Sequence, residues 1–373
     1  MLSKSIKLAA VGDVALTHNY DQSLHVKGPD WPFESIKTFL KSHDLVFGNL
    51  EAPFCIDGEI YHGKCSLRTH PDYITGLANA GFNIMSIANN HILDYKELAF
   101  FNTIKILRKD MNYFGAGKDI KEAKKASIIE QNGIRVGFIG YCDVIIDSPF
   151  YATNNKRGIA PFQIESVVED ITKLKDQVDV IIISLHWGME HYSYPTPEQV
   201  KAAHKLINSG ADLIIGHHPH VLQGIEKYKH GYIAYSLGNF IFSDIKWSWV
   251  NKNGKKIDSL MRLNKKNRKG VILSVLITKK GIQDVNAFPC VLAKNLQVRL
   301  VEKATNQNKR LNKLTKKLYL NNYDKFWYRY SSILKYKTLM TRNIKRLKNI
   351  HKLRPAHIKE LSDIITPPPS RRS

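Results

Sequence analysis

The sequence predicts an α/β layered fold, and three observations carry that expectation. Short apolar runs suited to buried strands recur along the first 300 residues, and each ends abruptly at a polar residue. Between them lie stretches with apolar residues at helical spacing. No repeat period or extended low-complexity run breaks the alternation, and buried strands alternating with helices are what a helix-flanked sheet requires.

Taken in order, Ile6–Val11 runs into Gly12-Asp13, Leu45–Phe47 into Gly48-Asn49, and Asn83–Ala88 into Asn89-Asn90-His91. Further on, Val178–Leu185 ends at His186, Leu213–Ile215 at Gly216-His217-His218, and Tyr232–Leu237 at Gly238-Asn239. Ile164–Leu174 and Pro197–Asn208 read as helices, the second stopped by Gly210. Lys252–Lys269 is basic and contains Gly and Asn, so it reads as an exposed loop inserted before two late strands, Val271–Ile277 and Val291–Leu300. From residue 301 the pattern changes to apolar residues at helical spacing among dense Lys and Arg, which predicts two or three amphipathic helices. The expected organisation is therefore a domain over residues 1–300 and a basic, mainly helical extension over 301–373, with Pro367–Pro369 in a frayed tail.

Net charge is +23, and from Val301 onward 19 lysines and arginines face only four acids. The basicity thus belongs to the extension and needs an explanation separate from the chemistry. The apolar run Leu8–Val11 is too short for a secretory h-region, and no window approaches 18 uninterrupted apolar residues. The expected location is the cytoplasm, with the inner face of the membrane as a peripheral site. Cys55, Cys65, Cys142 and Cys290 form no C-x-x-C pair, so reduced thiols are expected rather than a disulfide framework or a zinc finger.

Ligands of open α/β sheets bind where strands end. Here those ends offer Asp13, Glu51, Asn90, His186, His218 and His220, all residue types that bind divalent metal. Glu51 is long enough to bridge two ions, and the H-x-H spacing of 218 and 220 puts both rings on one side of an extended segment. A metal pair roughly 3.5–4 Å apart would polarise a phosphoryl group and acidify a bridging water. His91, beside Asn90, is placed to give a proton to the leaving oxygen, and Asp94 would orient its ring if a helix starts there. Taken singly, each residue has a structural reading, a cap for Asp13 or a turn for Asn89-Asn90. The conjunction of five strand ends, each presenting a ligand type, is what favours metal. His217 is expected to support the site from outside, while Glu190 and Tyr194 are expected to line the pocket rather than bind metal. Arg68 and Lys64 are candidates for contact with an anionic substrate, and loops 55–66 and 143–160 would wall it. His18, His43, His62 and His70 have no ligand spacing.

The segments AVGDVAL, FGNLEAPF, SIANNHILDY, SLHWGMEHYSYPTPEQ, GADLIIGHHPHVLQGIE and IAYSLGNFIF resemble the bacterial poly-gamma-glutamate capsule biosynthesis (CapA-like) family, itself similar to calcineurin-like metallophosphoesterases. The resemblance implies a four-layer α/β/β/α sandwich, and it implies Asp13 with His220 on one ion and Asn90, His186 and His218 on the other. Glu51 would lie between the ions, with His91 as the acid. It also implies Mn, Fe or Zn, as one ion or two, and hydrolysis of a phosphate ester in surface-polymer synthesis. Two departures stand out. Val14 and Ala15 follow Asp13 where metallophosphoesterases carry an Asp-x-His pair, and Glu51 stands where they usually offer Asp. The alternative function is therefore a non-catalytic component of a polymer-synthesis assembly that keeps the fold. Residues 301–373 read first as solvated helices packing back on the core through their aromatic and Leu faces; the candidate partners are an anionic membrane surface or polymer-synthesis proteins, and nucleic acid is disfavoured because no recognised module accompanies the charge.

Overall fold

A computed structural model describes residues 4–17, 19–60, 65–144, 150–250, 256–301 and 306–347. Among them, eight strands form one sheet and six a second. In the first sheet the parallel strands Ile6–Val14, Leu45–Leu50, Ile84–Ser86 and Asn112–Phe114 lie side by side, and Lys269–Thr278, Gly281–Leu292 and Val298–Leu300 add antiparallel neighbours beyond Ile6–Val14. In the second sheet Ile134–Cys142, Val180–His186, Leu213–His217 and Gly231–Ala234 run parallel, and antiparallel strands close both edges.

Alternation along Ile6–Val14 explains the layering. Ile6, Leu8 and Ala10 enter a core shared with Val136, Phe138, Ile182 and Ile215 of the second sheet. Ala9 and Val11 instead join Leu77, Phe100 and Leu107 from the helices Ile74–Ala80 and Lys96–Asp110. A strand buried on both faces reads as a nearly unbroken apolar run, as this one does. Phe47, Phe114 and Phe138 stack between the sheets with ring centroids 5.9–6.4 Å apart. On the far side, helices Ile164–Lys175 and Pro197–Ser209 cover the second sheet: Leu174 lies against Gly137, and Ile207 against Gly231. The four layers are helix, sheet, sheet, helix.

Both expected helices form within a residue or two of their expected ends. Thr196 and Gln199 make a reciprocal capping box at the start of Pro197–Ser209, and Gly210, at φ +117°, ends it in the left-handed region.

Several expectations are corrected. Lys256–Met261, inside the supposed loop, is a strand that pairs antiparallel with Ile245–Val250. The supposed last strand Val291–Leu300 divides at a turn. Gly281–Leu292 pairs along Lys269–Thr278, and the short Val298–Leu300 follows. The signal missed was the Lys279-Lys280-Gly281 turn, which starts a hairpin strand exposed on one face.

The chain divides into Met1–Asn321 and Asn322–Ser373. Helix Asn306–Leu318 lies in the first unit, where Gln307 Nε2 donates to the carbonyls of Gly270 and Cys290 (2.8 and 3.1 Å) and Leu311 and Leu314 enter the inter-sheet core. In the second unit, helix Tyr323–Leu347 exposes Tyr328, Ile333 and Tyr336. Pro367–Pro369, Lys64, His18 and His62 lie outside the described residues. Among the described residues no helix is long and apolar enough to cross a membrane, and none of the four cysteines forms a disulfide.

Candidate metal centre

The parallel strands of both sheets end at one locus. Asp13 is the penultimate residue of its strand and Glu51 immediately follows Leu45–Leu50, while Asn90 comes four residues after Ile84–Ser86. His186 is the last residue of Val180–His186, and His218 follows Leu213–His217. The first sheet thus supplies the oxygen donors and the second the imidazoles. Gly12 permits the convergence, because any Cβ there would collide with the carbonyl oxygen of Gly238.

His218 and His220 do not lie on an extended segment as expected. Both are in the left-handed region, with φ of +90° and +54°. Non-glycine residues held there cost on the order of 1–3 kcal/mol each and gather at functional sites. The turn around Pro219 brings the rings to 5.8 Å centroid separation, and the His218 ring lies 4.9 Å from that of His186.

Glu51 is fully buried, with Oε1 3.6 Å from Nε2 of His186 and 3.6 Å from Nε2 of His220. Neither of its oxygens accepts a hydrogen bond from a protein donor. A buried carboxylate left bare is costly unless a charge joins it. Burial, reinforced by the neighbouring Asp13 charge, pushes its pKa well above the ordinary range.

Asp13 is equally buried and differently supplied. Oδ1 accepts from Asn49 Nδ2 (3.0 Å) and lies 3.2 Å from His217 Nδ1. Oδ2 lies 3.2 Å from His220 Nδ1 and accepts from the His218 backbone N–H (3.4 Å). Burial alone would raise its pKa, but His217 and His220 hold it well below the usual carboxylate range.

His186 Nε2 is 2.7 Å from Asn90 Oδ1, so ring and amide oxygen are presented to one point. Burial, and then the charge of His218, lowers the pKa of His186 far below that of free imidazole. Burial also takes His218 down to about 4, leaving both rings neutral and able to bind a cation. His218 Nδ1 has no hydrogen-bond partner. Among the described residues, three groups of side chains bring one ligand atom each to within 4.8 Å of one another: Glu51, His186 and His218; Asp13, Glu51 and His220; and Glu190, His218 and His220. Donors of this chemical set, with the Glu51 oxygens and His218 Nδ1 left bare and buried, suit a divalent cation.

His91 Nδ1 lies 2.7 Å from Asp94 Oδ2, which also accepts from the Leu67 backbone N–H (2.7 Å). Asp94 orients the ring as expected, but from a turn, because the helix begins only at Lys96. His91 is near enough for His218 and Glu190 to feel its charge. Of the other residues considered, Arg68 pairs with Asp21 (3.6 Å), His43 bonds Ser274 (2.8 Å), His70 caps Pro71–Tyr73, and Tyr194 packs against the inter-sheet core.

Three supporting asparagines were not assigned a role from sequence. Asn49 holds Asp13, and its own oxygen accepts from Asn89 Nδ2 (3.1 Å). Asn239 Oδ1 lies 2.9 Å from His220 Nδ1, which leaves Nε2 of that ring for the centre. A signal was present: Gly12-Asp13, Gly48-Asn49, Gly216-His217 and Gly238-Asn239 repeat one glycine–polar pair at four strand ends.

Residues 7–244 match the family model described as bacterial capsule synthesis protein PGA_cap. The chain belongs to this family. The PGA_cap match contains all six expected ligands and ends just before the strand Ile245–Val250. The capsule biosynthesis protein CapA of Bacillus anthracis is 32% identical over 249 residues, 64% of this chain and 60% of that one. The PGA biosynthesis protein CapA of Bacillus subtilis (strain 168) is 32% identical over 236 residues, 62% of each chain. The chain thus spans about three-fifths of the length of these relatives. Among solved structures, the NAD nucleotidase of Haemophilus influenzae aligns with a TM-score of 0.44 and 14% identity, over 88% of this chain and 60% of that one, too loosely to bear on chemistry.

Proposed function

We propose that this PGA_cap-family chain is a metal-dependent hydrolase of phosphate esters or diesters acting in bacterial surface-polymer synthesis. The observation that carries the reading is Glu51, a fully buried carboxylate with no protein donor on either oxygen, its Oε1 3.6 Å from each of two imidazole nitrogens. Asp13, Glu51 and His220 would hold one divalent ion and Glu51, Asn90, His186 and His218 a second. The set is compatible with Mn, Fe or Zn. Such ions, when bound, supply Lewis acidity and a water acidified to near-neutral pKa.

The chain's own residues do the rest. In the doubly protonated ring Nδ1–H of His91 donates to Asp94, which fixes the imidazole and leaves Nε2–H to give its proton to the departing oxygen. Asn49 and Asn239 keep Asp13 and His220 from rotating away. The buried walls around Asp13 and Glu51 exclude water from the ligand side, where charge interactions are strongest.

The test is elemental analysis of the purified protein, then phosphodiesterase and phosphatase assays with added Mn²⁺ on the wild type and His91→Ala. We expect bound metal and a rate loss of about 10²–10⁴-fold in the variant, the usual worth of a positioned general acid. Equal rates would remove His91 from the mechanism. One observation favours the second reading, a non-catalytic member of a polymer assembly: both Asp13 oxygens are already engaged by protein donors. Protein that binds no metal yet supports polymer formation in cells would establish it.

A further inference from the structure

The two halves of the centre are unequally supplied: Glu51, Asn90, His186 and His218 surround one position, but only Asp13, Glu51 and His220 surround the other. The loop after His186 brings a further carboxylate between them, beside His218 of the richer half and His220 of the poorer. Trp187 is buried and anchored by its Nε1–H to the Tyr235 carbonyl (3.2 Å). Gly188 then turns the chain at φ +87°, with the Gln199 side chain filling the space a Cβ would need. His191 follows at φ +65° and donates its backbone N–H to the Pro219 carbonyl (2.8 Å), fastening the loop to the ligand-bearing turn.

Glu190 is therefore carried on a backbone tied at both sides to the site. One of its oxygens lies within 4.8 Å of a nitrogen of each of His218 and His220, a span that one cation can satisfy. Glu51 reaches the same histidines from the fully buried side, whereas the Glu190 side chain is 52% exposed. Glu190 thus covers the face through which an anionic substrate must come. A carboxylate there holds a cation at rest but repels an incoming phosphate, and the exposed member of the set is the one that can leave.

We propose that Glu190 is an exchangeable metal ligand, bound in the resting centre and displaced by an oxygen of the incoming phosphoryl group. This rests on the metal reading above. The test is calorimetric titration of Mn²⁺ into metal-free wild type and Glu190→Ala, then of inorganic phosphate into both proteins at saturating Mn²⁺. Mn²⁺ should bind the variant at least about tenfold more weakly, since even outer-shell losses reach that size. Phosphate should bind it about fivefold more tightly, the worth of removing one like charge at roughly 4 Å in water. Unchanged Mn²⁺ affinity would overturn ligation by Glu190. Weaker Mn²⁺ binding with unchanged or weaker phosphate binding would overturn the exchange. A wild type that takes up no Mn²⁺ would overturn the metal reading itself, an outcome distinct from both.

Discussion

Asp13 and Glu51 invite comparison. Both are fully buried carboxylates at adjacent strand ends of one sheet, and both lie beside His220. Asp13 is surrounded by donors: an asparagine amide, a backbone N–H and two imidazoles. Glu51 has none. Their pKa values move in opposite directions for that reason, Asp13 down and Glu51 up. The difference separates a carboxylate that serves the folded chain from one that serves something the chain binds. It also shows why burial alone is a poor guide to role.

The largest effect should come from exchanging the comparison for its absence. Asp13→Ala leaves His217, His220 and Asn49 facing an empty buried space, so unfolding stability should fall by about 3–5 kcal/mol, as when one partner of a buried pair is removed. Glu51→Met removes a carboxylate that accepts no hydrogen bond but faces His220, so the metal-free protein should lose clearly less stability than Asp13→Ala does, and should be unable to take up metal. Urea melts in chelator check both. Equal destabilisation by the two changes would mean that Glu51 has a structural partner after all.

Asn239 sharpens the contrast at smaller scale. It competes with Asp13 for the same nitrogen of His220, at 2.9 against 3.2 Å. If it fixes that ring for the Asp13 side, Asn239→Ala should weaken one class of metal site by roughly 10–100-fold and leave the other unchanged. Titration of the metal-free protein with Mn²⁺ resolves two classes or refutes them. Parallel weakening of both would show that Asn239 supports the fold rather than one half of the site.

Much of this was legible before any coordinates, for physical reasons that can be named. A strand buried on both faces must be apolar throughout, so the polar residue that ends it stands out, as Asp13 and His186 do. Helix Pro197–Ser209 announces itself by Thr196, Gln199 and Gly210. The strand Lys256–Met261 did not, because a basic stretch containing Gly and Asn suits a loop as well as a polar strand. The rotation of His218 and His220 was hidden too: two-residue spacing implies one face only if the backbone is extended, and here it is left-handed. The hydrogen bonds that separate Asp13 from Glu51 come from residues 36 to 205 positions away in sequence, and no local pattern records them.

The last test is in pH, and it bears on the same pair. Although burial opposes its charge, Glu51 and Asp13 raise His220 to about 10 in the metal-free chain, above the ordinary 6.5. Glu51 is raised above its ordinary 4.5. Between the ordinary and raised values the folded chain holds protons that the unfolded chain has released, so stability must fall as pH rises through that window. Asp13 has the opposite sign: its contribution is complete above its ordinary 3.8 and is lost only in acid. Chelator-treated protein should therefore lose thermal stability from pH 6.5 towards 10, with Asp13 contributing nothing to the slope. Metal must displace whatever proton the Glu51–His220 pair holds, so its apparent affinity should climb by up to about tenfold per pH unit for each proton released. Calorimetry at pH 7 in two buffers of different ionisation enthalpy counts those protons. A count of zero, with a flat stability curve in chelator, would mean that neither Glu51 nor His220 is protonated before metal arrives, and the contrast between the two carboxylates would lose its electrostatic basis.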